Sequence, residues 1–163
     1  TEQSPFDMQH YMSWLMWDDI IDVQKNPTYV ILDLGCTRCM GSRKYVEAFL
    51  TKCPDYGIEF AWRRIKTNMS FADGQSEVLE WCVDLTFPTD PRISSSVDVQ
   101  ESGNVPILMS LGQMQNLRFN VSCEKEGIYL TSKTLGIEKK QFLKMGTTRH
   151  ALFDWGSLRD LSI

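Results

Sequence analysis

Tyr29-Val30-Ile31-Leu32-Asp33-Leu34-Gly35-Cys36-Thr37 decides how the rest of the chain is read. An aromatic residue, two β-branched residues and a leucine run into an aspartate, one further residue and a glycine. The apolar run predicts a buried strand, and Asp-X-Gly at its end predicts a tight turn. Such a strand delivers a carboxylate to the rim of a sheet. There an aspartate commonly does no more than cap its own turn, so a chemical role needs support from elsewhere in the chain.

Upstream, apolar residues recur at Met8, Met12, Leu15, Met16 and Ile20, and Phe6, Tyr11, Trp14, Trp17 and Ile21 widen the stripe. This period predicts an amphipathic helix over Phe6–Val23, opened by Ser4-Pro5 and closed by Asn26-Pro27. It makes residues 1–27 a helical extension and 28–163 the main domain. The stripe either packs on its own domain or docks on a partner protein, in which case Tyr11, Trp14 and Trp17 are the docking residues.

Downstream the pattern is β. Thr28–Asp33 reads as a strand and Arg43–Cys53 as a short helix turning Tyr45, Val46, Phe49 and Leu50 inward. Ile58–Phe71 and Glu77–Phe87 flank Asp73-Gly74, a strong hairpin signal because both turn residues tolerate positive φ. Ile93–Val99 reads as another strand, and the apolar run Val105–Leu111 leads into a short helix at Gly112–Leu117. Phe119–Cys123 and Gly127–Ser132 form a second hairpin, followed by short strands at Gln141–Met145 and Ala151–Asp154. Many short strands with few helices predict a mostly β domain, closed or sandwiched.

Composition excludes some classes. At 163 residues the chain is one domain long enough to bury a core without metal or disulfide. A net charge of -4, with Arg63-Arg64 and Lys139-Lys140 as the main basic clusters, leaves no stripe for nucleic acid. No apolar run reaches the ~20 residues a membrane-spanning helix needs. Five irregularly spaced cysteines make no disulfide framework, so a reducing, intracellular compartment is the default expectation. Cys36-x-x-Cys39 lacks the βαβ setting of a redox pair and a second tight pair for zinc, and reads as small buried side chains. No phosphate-cradling glycine loop or nucleophile triad is present, and no cofactor is expected.

The order Asp-X-Gly strand, Phe71-Ala72-Asp73-Gly74 hairpin, and Val105-Pro106-Ile107-Leu108-Met109-Ser110-Leu111 with a helix after it resembles the retropepsin-like aspartic protease domain of copia-type retroelement polyproteins. The resemblance covers about Thr28 to Trp155, including Arg149-His150-Ala151-Leu152-Phe153-Asp154. It implies a closed β barrel with Asp33 as catalytic carboxylate, Leu34, Gly35 and Thr37 in the active-site turn, and Phe71, Asp73 and Gly74 in a flap over a peptide substrate. It also implies a homodimer, because two carboxylates must share a proton for one to act as base on water. Asp154-Trp155-Gly156 repeats the spacing, but without a buried run before it or a turn-helix after it, and reads as a terminal turn.

Two departures weigh against catalysis. The family has Thr or Ser where Leu34 stands, and its hydroxyl bonds across the pair; a leucine cannot donate and would crowd its symmetry mate. Ala72 replaces the first glycine of the hairpin motif and stiffens it. The expected function is therefore a domesticated, non-catalytic retropepsin-like module, a structural or protein-binding subunit of a larger assembly. The alternative is an active homodimeric endopeptidase using Asp33 from each subunit. A start at Thr1 is compatible with an organellar address after removal of a targeting peptide.

Overall fold

The computed structural model describes residues 20–70 and 74–161. Tyr11, Trp14, Trp17 and most of the predicted N-terminal helix lie outside the described residues, as do Phe71, Ala72 and Asp73.

Strand β1 is Ile20–Ile21, and β2, Tyr29–Leu32, carries the opening motif. Strand β3, Met40–Ser42, leads directly into helix α1, Arg43–Lys52. The hairpin comprises β4, Glu59–Ser70, and β5, Ser76–Phe87; β6 is Ile93–Gln100. Then come β7, Leu108–Met109, and helix α2, Leu111–Asn116. Strands β8, Phe119–Glu124, β9, Gly127–Ser132, and β10, Ile137–Phe142, form a meander. The chain ends in β11, Met145–Gly146, β12, Leu152–Asp154, and a 3-10 turn at Trp155–Leu161.

The domain is mostly β, as the pattern of short apolar runs requires. Its main sheet has seven strands in the order β12-β2-β7-β3-β6-β5-β4; a three-stranded sheet β10-β9-β8 and the pair β1-β11 complete it. No ladder among the described residues closes a sheet on itself, so the closed barrel expected from the resemblance is not found. The reason lies at β4. Its first six residues are exposed, and Glu59, Arg63, Arg64 and Lys66 charge the edge against further pairing.

The predicted helix over Phe6–Val23 also needs correction at its end. Ile20–Ile21 is a strand parallel to Met145–Gly146, and Asp22 starts a turn in which its carbonyl accepts from Asn26 N at 3.0 Å. Apolar spacing favoured a helix, but an open strand edge on β11 offered these backbone groups partners. Residues 20–27 are thereby stitched to the main domain. The strand expected at Gln141–Met145 is likewise divided, Gln141 and Phe142 ending β10 and Met145 starting β11, while other local signals hold. Helix α1 buries Tyr45, Val46, Phe49 and Leu50, and the β4-β5 hairpin pairs from Glu59↔Thr86 to Ser70↔Ser76, with Gly74 at φ 85 just past its tip.

Alternation on β5 puts Leu79, Val83, Leu85 and Phe87 on the core face, beside Val97 and Val99 of β6. The layers meet at Trp155, which is 1% exposed. Its ring lies 5.5 Å from Phe49 of α1 and 5.3 Å from Phe87 of β5, both inclined. The meander joins the core through Phe119 against Phe153 at 5.2 Å. Trp155→Ala is expected to cost about 3–5 kcal/mol, because no neighbouring side chain can fill the indole's volume. Urea denaturation monitored by far-UV circular dichroism checks it.

Candidate functional site

Strands β2 and β3 are consecutive but not neighbours. Strand β7 lies between them, parallel to β2 (Ile31↔Leu108, Leu32↔Met109) and antiparallel to β3 (Met40↔Leu108). The loop 33–39 therefore crosses the end of β7, and its backbone is bonded to that strand's continuation. Asp33 N donates to Met109 O at 3.1 Å, and Leu111 N donates to Cys36 O at 3.1 Å. Within the turn, Gly35 N donates to Asp33 Oδ1 at 2.9 Å and Cys36 N to Asp33 O at 3.2 Å. The turn closes on backbone and carboxylate alone, with no hydroxyl needed at position 34.

At its far end the loop is tied down by a charge. Arg38 clamps Asp98 of β6 with Nε at 2.6 Å from Oδ2 and Nη2 at 3.0 Å from Oδ1. Asp98 is 1% exposed and Arg38 about half exposed, so the guanidinium covers the carboxylate from the solvent side. The hydrogen bond to Asp98 holds the Arg38 pKa above its usual value. Next to it the thiol of Cys39, 4% exposed, accepts from Ser110 N at 3.4 Å.

Asp33, Leu34 and Gly35 open onto a groove of about 480 Å³, walled also by Ile31, Leu32, Pro106, Leu108, Thr148 and His150. Leu34 is 70% exposed at its lip, the most exposed large apolar side chain among the described residues. Thr37 is exposed but does not line the groove. Nor does Gly74, which lies in the turn before β5, a strand four places from β2 in the sheet. Of the residues assigned to a catalytic site and flap, the described structure thus unites only Asp33, Leu34 and Gly35.

Among the described lining residues Asp33 is the sole carboxylate. The second Asp-X-Gly is at the other end of β2. Asp154 pairs with Tyr29, four residues before Asp33, which at the rise of a strand is roughly 13 Å away. Its Oδ1 accepts from Gly156 N at 2.8 Å and Thr28 Oγ1 at 2.7 Å, and burial together with the Asp154 charge raises the Tyr29 phenol pKa. Both Asp-X-Gly segments are the same self-capped turn. They share no site.

Two groove residues, Thr148 and His150, had no site role assigned from the sequence. The antiparallel register of β2 and β12 runs Phe153↔Val30 and Leu152↔Ile31, and Leu32 N donates to Ala151 O at 3.0 Å. Just before β12, His150 lines the same groove as Asp33. The turn before β12 holds Arg149 at φ 64, and Thr148 Oγ1 lies 2.7 Å from His150 Nδ1. Only long-range pairing brings this imidazole to the groove, so no local motif could have found it.

Of the Cys36-x-x-Cys39 pair only Cys39 is a buried side chain, Cys36 being half-buried, and Cys123 is exposed. Cys39, Cys53 and Cys82 are buried, and burial pushes the thiol of Cys53 up to about 12 and that of Cys82 up to about 11. Cys36, half-buried, is also raised by burial and donates to Arg38 O at 2.7 Å. No group of three or more potential metal ligands clusters among the described residues.

A polar row crosses the sheet face beside Asp98. Arg63 of β4 bonds Asp84 of β5 through Nε at 2.8 Å, and Ser96 of β6 donates to Asp84 Oδ1 at 2.6 Å. Arg63 first and Ser96 second pull the Asp84 carboxyl down to about 2 from its usual 3.8. A carboxyl depressed on folding stabilises above its unfolded pKa, and that contribution is lost as pH falls through the folded one. The side chain is 41% exposed, so the effect is small. Asp84→Asn is expected to lower the thermal midpoint modestly at pH 7, with the gap to wild type closing between pH 4 and pH 2 in parallel melts.

Scanning against protein-family models finds no match, and no curated protein matches the chain. The turn itself makes a separable expectation. Asp33→Ala removes the acceptor for Gly35 N and is expected to cost about 1 kcal/mol, whereas Asp33→Asn keeps an oxygen there and is near neutral. Chemical denaturation of both variants tests this.

Proposed function

We propose that the chain is a retropepsin-like module that binds protein segments at the Asp33 groove and does not itself cleave them. The retropepsin-like reading is supported by three elements in the family's order: a strand ending in the Asp33 turn, the β4-β5 hairpin, and β7 with α2 after it. The observation that carries the non-catalytic reading is Leu34, an exposed leucine at the apex of the turn beside a lone carboxylate. Two-carboxylate hydrolysis needs a second acid within hydrogen-bond reach of the same water, and the groove's described lining supplies one. An exposed apolar side chain on a rigid turn is suited to being covered by another protein. A role as a subunit of a larger assembly follows from such a surface.

One observation favours an active homodimer as second reading. The bond from Gly35 N to Asp33 Oδ1 fixes the carboxylate at the rim of the sheet, as an acid supplied once by each of two subunits would need to be. The readings differ in symmetry. Sedimentation velocity over a wide concentration range is expected to give a monomer, with no cleavage of a peptide library at pH 4–7. A two-fold dimer whose cleavage activity vanishes in Asp33→Asn would replace the first reading by the second. Leu34→Thr restores the hydroxyl, and peptidase activity gained by that variant alone is the expected sign of a fold whose chemistry was lost at one position.

A further inference from the structure

A second cleft adjoins the Asp33 groove. This one encloses about 230 Å³ and shares Ile31, Pro106 and Thr148 with the first, adding Asp22, Tyr45, Asn104 and Leu152 among its walls. Asp22 comes from the turn after β1 and Asp33 from the turn after β2, so each half of this two-cleft channel carries one carboxylate. Each is held by one oxygen in its own turn: Asp22 Oδ1 accepts from Gln24 N at 2.9 Å, as Asp33 Oδ1 does from Gly35 N. These bonds orient the carboxylates.

The floor between them is apolar, with Ile31, Pro106, Leu108 and Leu152. The chain has 17 Lys and Arg residues, yet none is among the described residues lining either cleft; His150 is the one other titratable group with a side chain able to carry charge apart from Tyr45. We propose that this channel takes an extended peptide segment in which aliphatic side chains alternate with Arg or Lys, the cations meeting Asp33 and Asp22. The inference rests on the Asp33 groove being a binding surface, and it names the ligand chemistry. Charge complementarity selects that ligand: a desolvated cation gains most opposite a fixed carboxylate, and an acidic segment is repelled. Residues 1–19 of the chain itself hold Glu2, Asp7, Asp18 and Asp19 and no Lys or Arg, so the same argument disfavours them as occupant.

The test uses the full chain and three labelled probes, acetylated and amidated hexapeptides of Leu alternating with Arg, Gln or Glu, followed by fluorescence anisotropy at pH 7.5 and 0.15 M salt. The Arg probe is expected to bind at least tenfold more tightly than the Gln probe. That preference is expected to vanish in the double variant Asp22→Asn/Asp33→Asn. It is expected to persist in Glu126→Gln/Glu138→Gln, which removes the same charge from exposed positions elsewhere. If the Gln or Glu probe binds as tightly as the Arg probe, the groove binds peptides but the cationic preference is overturned. If the exposed control pair abolishes the preference as fully, the attraction belongs to the overall charge and the channel assignment fails. If no probe binds, the binding-surface reading falls with it.

Discussion

A two-residue strand between two others is the constraint on which the molecule depends. With β7 in place, β2 and β3 stand two strand spacings apart, roughly 10 Å, and the seven residues 33–39 must bridge that gap over its end. Every feature of the site follows. The loop cannot lie flat, so its backbone bonds to Met109 and Leu111. Its apex points Leu34 into solvent, and its start holds Asp33 at the rim of the sheet. Gly41 is required where β3 passes β7, since a Cβ there would sit 2.9 Å from the Ile107 side chain. Arg38 closes the bridge on Asp98, and its loss would leave a buried carboxylate without its partner.

This arrangement separates what holds the turn from what the turn offers. The bonds that fix it are backbone bonds, the Asp33 carboxylate cap and the Arg38–Asp98 ion pair, none of which involves the side chain at position 34. Position 34 can thus carry a leucine without cost to the fold. The carboxylate is kept by the same logic, because Asp33 caps its own turn whether or not it does chemistry. A retained aspartate in such a place is weak support for catalysis, and an exposed leucine beside it is stronger support for contact with another protein.

Sequence reading recovered the elements whose signals are local. The Asp33 strand, the helix with Tyr45, Val46, Phe49 and Leu50 on one face, and both hairpins rest on periodicity and turn chemistry within a dozen residues. The misreadings came from distance. Ile20 and Ile21 fit a helical stripe, but a parallel partner at Met145–Gly146 made them a strand. Barrel closure was expected from resemblance, whereas the charged edge of β4 ends the sheet openly. His150 was assigned no role because nothing near it in the chain points to Asp33; the pairing of β12 with β2 brings both to one groove. Asp22 was passed over for the same reason, lying in what read as the tail of a helix.

The pairing of β2 with β12 also sets an order of events during synthesis. The β4-β5 and β8-β9 hairpins join segments close in sequence and can form as soon as they leave the ribosome. The groove cannot. Its wall needs Thr148 and His150, and the strand carrying Asp33 needs Leu152 and Phe153 as neighbours, more than a hundred residues later. A nascent chain that has released everything up to β10 holds most of its sheet yet has no binding channel. The site therefore forms only once residues 148–154 have emerged, and no ligand can engage it before then.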